Sequence, residues 1–146
     1  MQIEIKIDPE CREPKLILLT AKVSEEVNNI LKKLSEDTPK VITGFREDSV
    51  EIIEPQDIYR FYANNGKVYA TTVKGEFLLR VRLYEIEENM NLPGFVRISN
   101  SEIINLKKVK NFDLSFTGTI CVTLTDQTVT YVSRRYVNRI KKILGI

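Results

Sequence analysis

Two short stretches carry side chains whose types and spacing suit contact with a polyanion. Ser133-Arg134-Arg135-Tyr136 opens a basic segment that also holds Arg139, Lys141 and Lys142. Two guanidiniums at a strand-to-helix junction can fork onto phosphates or guanine edges. The first amides of a helix starting there add positive potential. The competing reading is a surface arginine pair beside a core tyrosine. Arg97-Ile98-Ser99-Asn100-Ser101 gathers a guanidinium, two hydroxyls and an amide in one tight turn. Asparagine pairs with adenine through two hydrogen bonds and serine reaches phosphate, although such a turn can also satisfy its own backbone.

Most other chemistries lack their parts. The sequence has no histidine, which removes imidazole catalysis, histidine-based nucleophile activation and histidine-ligated metals. Cys11 and Cys121 are far apart in sequence and form no CxxC pair, so no zinc site or disulfide framework arises within one chain. Two free thiols suit a reducing cytosol. The acidic clusters Glu25-Glu26, Glu47-Asp48 and Glu85-Glu87-Glu88 stand at helix starts, turns or polar faces, where charge is ordinarily solvated. The six glycines form no phosphate-cradling loop. Neither an enzyme nor a bound cofactor or metal is expected.

The elements that must position the two stretches follow from periodicity. Gln2–Ile7 alternates polar and apolar residues, and Lys15–Lys22 contains LILLTA; both read as strands. Ser24 is a good N-cap for a helix whose Val27, Ile30, Leu31 and Leu34 share one face. Ser35–Lys40 is polar, contains a proline and reads as a linker. Beyond Val41 the pattern is β. Ser49–Glu54, Ile58–Tyr62, Lys67–Val73 and Glu76–Leu79 are strands separated by turn formers such as Asn64-Asn65-Gly66. Val81–Asn91 reads as a short helix. Phe95–Ile98, Ile103–Leu106, Phe112–Phe116, Thr119–Leu124 and Thr128–Val132 are further strands. Ser133 opens a last helix that Gly145 closes. The expected product is a mainly β, α+β chain of 146 residues, antiparallel from about 41 to 146, after a small strand-strand-helix extension over 1–40. No leader or bilayer-length apolar run is seen, which predicts a cytoplasmic protein.

The net charge is only +2, with 42% apolar and 29% charged residues. Split by position it is uneven. Residues 1–60 hold 9 basic and 13 acidic side chains, whereas residues 93–146 hold 9 and 3. A basic last third is what a polyanion-binding face requires.

Taken together, PGFVRISNSEIINLKKVKNF, a hairpin, and YVSRRYVNRIKKIL resemble the second half of the LytTR DNA-binding domain. The pattern is carried by Phe95, Arg97, Ser101, Ile103-Ile104-Asn105 and Ser133-Arg134-Arg135-Tyr136. Asp57-Ile58-Tyr59-Arg60-Phe61-Tyr62, a turn, and a strand from Lys67 fit the first half. The resemblance spans roughly residues 42–146. It implies an elongated, antiparallel, mainly β module of bacterial transcription factors that inserts loops into successive major grooves of double-stranded DNA. It implies base contacts from Lys67, Asn100 and Arg135, and phosphate contacts from Arg97, Ser101, Tyr131, Ser133 and Arg134. Glu102 departs from the pattern: a carboxylate beside a phosphate-binding serine repels DNA unless it points away or pairs with Lys107 or Lys108. Some forty residues before the module cannot form a receiver domain, so the resemblance is to compact regulators, several of which are held by a small membrane-protein inhibitor. Residues 1–40 are expected to make the chain a homodimer. The alternative is a protein-interaction adaptor that keeps the fold without strong DNA binding.

Overall fold

Short apolar–polar alternations broken by turn formers dictate a ladder of antiparallel strands, and that is what the computed structural model contains. It describes residues 1–34 and 41–146; the expected linker lies outside the described residues. The chain divides into two units, Met1–Pro39 and Lys40–Ile146.

Among the described residues of the first unit, the only regular element is helix α1, Glu25–Leu34. Its start is capped by Ser24, whose Oγ accepts the Val27 amide at 3.3 Å and whose carbonyl accepts the Asn28 amide at 3.0 Å. Glu25 and Glu26 in the first turn and Lys32 and Lys33 in the last complement the helix dipole. The two strands expected at Gln2–Ile7 and Lys15–Lys22 do not form. Alternation decides which face a strand would bury, but a strand needs a partner edge. None is offered within residues 1–34.

The second unit holds β1 (Ile42–Arg46), β2 (Ser49–Ile53), β3 (Ile58–Asn64), β4 (Lys67–Thr72), β5 (Gly75–Leu79), α2 (Leu83–Asn89), β6 (Phe95–Ser99), β7 (Glu102–Asn105), β8 (Val109–Asp113), β9 (Ile120–Leu124), β10 (Val129–Val132) and α3 (Arg134–Leu144). Strands β1–β7 make one sheet in the order β2-β1-β5-β4-β3-β7-β6, and β10-β9-β8 a second. Every pairing is antiparallel. The β3–β4 turn places Asn65 and Gly66 at φ 52° and 76°, the left-handed pair that a tight two-residue hairpin demands. Strand β8 begins and ends three residues before the expected Phe112–Phe116. Asp113 Oδ1 accepts the amide and the hydroxyl of Ser115 at 2.9 and 2.6 Å, and this local turn ends the strand. Those two bonds also hold the Asp113 carboxyl below its ordinary range.

Among the described residues two apolar cores form. One includes Ile58, Phe61, Ala70 and Phe77 of the large sheet with Leu83 and Ile86 of α2. The other joins Ile98 and Ile104 to Ile120, Val122 and Leu124 of β9, Val132 of β10 and Ile140 of α3. Strand β7 belongs to both: Ile103 faces the first core and Ile104 the second, and all four of its residues are buried. Its end is fastened by Asn105, whose Nδ2 donates to the Ile58 carbonyl at 2.9 Å while Oδ1 accepts the Lys107 amide at 3.0 Å. The asparagine of the Ile-Ile-Asn motif therefore satisfies buried backbone.

Candidate nucleic-acid interface

Antiparallel register brings the β3–β4 and β6–β7 turns to one end of the large sheet. Lys67 opens β4 directly opposite Asn64. The next residue on β3, Ala63, donates its amide to the Ser101 carbonyl at 2.8 Å in the β6–β7 turn. The Ser133 amide donates to the Ile98 carbonyl at 2.9 Å, which seats the start of α3 beside β6. Tyr136 Oη then donates to Asn100 Oδ1 at 3.4 Å, bridging the last two loops. Lys67, Asn100, Ser101, Arg134 and Arg135 are exposed. The three candidate base-reading residues thus sit on neighbouring loops.

The turn itself is braced from below. Arg97 donates Nε to the Ser99 carbonyl at 2.7 Å and one terminal nitrogen to the Asn100 carbonyl at 2.5 Å. The other terminal nitrogen faces Glu87 Oε2 of α2 at 3.3 Å. Its side chain is 14% exposed, so the guanidinium expected at a phosphate is spent on its own turn. Ser99 Oγ lies 3.3 Å from Ser101 Oγ and accepts the Ser101 amide at 3.2 Å.

Ser133 is the N-cap of α3 but makes no side-chain capping bond; its carbonyl accepts the Tyr136 amide at 2.8 Å, and the Arg134 and Arg135 amides have no partner within the helix. Gly118, at φ +76°, lies against Arg134: a Cβ there would meet Arg134 Nε at 3.2 Å. Tyr131 is half-exposed and meets Phe116 edge-on, with ring centroids 5.9 Å apart. The β8–β9 loop therefore borders the same region. Neither Phe116 nor Gly118 is singled out by the sequence, because their part depends on a packing contact with no local signature.

Glu102 takes neither expected partner. It is 7% exposed and points inward. Its Oε1 accepts from Arg60 at 3.3 Å and from Thr130 Oγ1 at 2.9 Å. Burial raises its pKa against the opposing pull of Arg60 and Thr130. Lys108 instead lies over the Tyr59 ring. The register that pairs Tyr62 with Glu102 brings Arg60 to the same face, a cross-strand relation that sequence spacing does not display. Beside it Tyr62 stacks on Tyr69 and donates to Glu76. Burial and the Glu76 carboxylate push its pKa up to about 12, so the phenol stays protonated at neutral pH.

Comparison with known proteins gives the family and the fold. A family model described as the LytTr DNA-binding domain matches residues 48–145. Proteins of Staphylococcus aureus strains MSSA476 and NCTC 8325, each named an uncharacterized HTH-type transcriptional regulator, are 31% identical over 147 residues, covering 100% of this chain and 99% of each relative. A solved LytTr DNA-binding domain from Bacillus cereus superposes with a TM-score of 0.69 at 21% identity, over 73% of this chain and 97% of that one. Among the described residues no two helices are consecutive, since five strands separate α2 from α3. The relatives' HTH label thus has no counterpart in the element order seen here.

Proposed function

The chain belongs to the LytTR DNA-binding domain family, and from that premise we propose that this DNA-binding regulator is sequence-specific and reads major grooves of double-stranded DNA with loops. The carrying observation is the convergence of the β3–β4 turn, the β6–β7 turn and the β10–α3 junction, tied by Ala63–Ser101, Ser133–Ile98 and Tyr136–Asn100. Lys67, Asn100 and Arg135 are assigned to base edges. Ser101, Tyr131, Ser133 and Arg134 are assigned to phosphates, with the open α3 amides beside them. Arg97 is assigned to holding the turn that presents Asn100. The Tyr136 hydroxyl orients the Asn100 amide and leaves its Nδ2 donors and one oxygen lone pair for a base.

The adaptor reading drew on Glu102 as a charge facing DNA and on the modest net charge of +2; the inward pairing of Glu102 with Arg60 removes the first of these. Among the described residues no helix is long and apolar enough to cross a membrane. We assign the protein to the cytoplasm, as a homodimer associating through the extension over residues 1–40. Gel-shift titration on genomic fragments over a range of salt concentrations tests the reading. A selected site with steep salt dependence is expected; uniform, salt-insensitive binding would sink it.

A further inference from the structure

Residues 1–34 expose ten large apolar side chains, and the most ordered pattern among them is at the start. Ile3, Ile5 and Ile7 are 89%, 85% and 90% exposed, and the residues between them are exposed as well. The segment already alternates like a strand yet makes no ladder. It rests on the dimer reading above that a second copy supplies the missing edge, and charge then selects the register.

In an antiparallel pair, residues directly opposite each other share a face. Two copies of one segment pair so that the opposed residue numbers have a constant sum. Odd sums set isoleucine against a polar residue. A sum of eight opposes Glu4 to Glu4, and a sum of twelve opposes Lys6 to Lys6. A sum of ten opposes Ile5 to Ile5, Ile3 to Ile7, and Glu4 to Lys6 at two symmetric places. Parallel pairing in register stacks like charge beside like charge.

We infer that Gln2–Asp8 pairs antiparallel with the same segment of a second copy about a two-fold axis through Ile5. The contact is isologous and closes on itself. One face carries six isoleucines and the other two Glu4–Lys6 pairs. A two-stranded ribbon alone is marginal in water. Leu31 and Leu34 of α1, about half exposed, supply apolar surface from both copies to cover it.

A charge exchange in the full-length chain tests this. Glu4→Lys sets two basic residues against each other on both sides of the two-fold axis, and Lys6→Glu sets two acids. Each should weaken self-association about tenfold by sedimentation equilibrium. The double variant Glu4→Lys/Lys6→Glu should return within about threefold of wild type, and mixing the two single variants should give heterodimers of similar strength. In a Cys11→Ser background, Ile5→Cys should cross-link under copper-phenanthroline, since opposed Cα atoms at about 4.5–5.5 Å lie within disulfide reach; Glu4→Cys should not. The second unit should melt unchanged in every variant. A dimer indifferent to the exchange overturns the register and leaves the dimer standing. A monomeric wild type at micromolar concentration overturns both.

Discussion

On the proposed reading, base recognition rests on Asn100 and Arg135 together with Lys67. Arg135→Ala should cost about 1–3 kcal/mol at the cognate site and relax preference at one base pair, and Asn100→Ala should do so at another. Quantitative gel shifts on a set of single-base operator variants measure both; unchanged selectivity in the two mutants would show that the loops dock differently. Arg97 and Arg134 separate by a different readout. Arg134→Ala should lower the slope of log K against log salt by about one phosphate contact. Arg97→Gln should blur selectivity at the Asn100 base pair while leaving that slope alone, because its donors face Ser99, Asn100 and Glu87. A slope reduced by Arg97→Gln would return that arginine to the phosphates.

Between elements, Arg60, Glu102 and Thr130 link β3, β7 and β10, and so couple the two sheets. Because burial raises the Glu102 pKa above 4.5, its contribution to stability is greatest at low pH and is lost as pH rises through the folded value. Measured by melting, wild type should therefore lose ground to Glu102→Gln as pH rises from about 4 to 7, and a constant difference would contradict the raised pKa. In the large sheet, Gly44→Ala places a Cβ 2.5 Å from Ile53 Cδ1 and 2.8 Å from Phe77 Cβ. It should cost about 1–3 kcal/mol by denaturant midpoint. Sequence reading reached much of this level. Alternation and turn residues located most strands, and Leu83–Asn89 lies within the expected helix. It failed where the deciding partner is remote, and where a short side-chain turn outcompetes the ladder. The alternation of Gln2–Ile7 shows a face but no neighbour, and Phe112–Phe116 shows apolar residues but not the Asp113–Ser115 turn that stops β8. At the site, the loop residues were legible as a motif. The Arg60 partner of Glu102 and the Tyr136–Asn100 bridge were not, because register and tertiary contact create them.

For the whole molecule, a chain starting at Val41 should be monomeric by light scattering and should keep the base preferences of the intact protein. Its affinity for a two-half-site operator should fall by about 10²-fold or more once the modules are no longer held together. A truncated chain that stays dimeric would place the association elsewhere. The double burial of β7 also sets how the molecule breathes. Ile103 and Ile104 are laddered to β3 on one side and β6 on the other, and each enters a different core. Their amide hydrogens should exchange with solvent only on global opening, while those of Asn100 and Ser101, exposed at the tip of the turn, should exchange early. The boundary between the slowest and among the fastest amides then falls across Glu102, within two residues. A tip that opens locally is rooted in the strand that opens last.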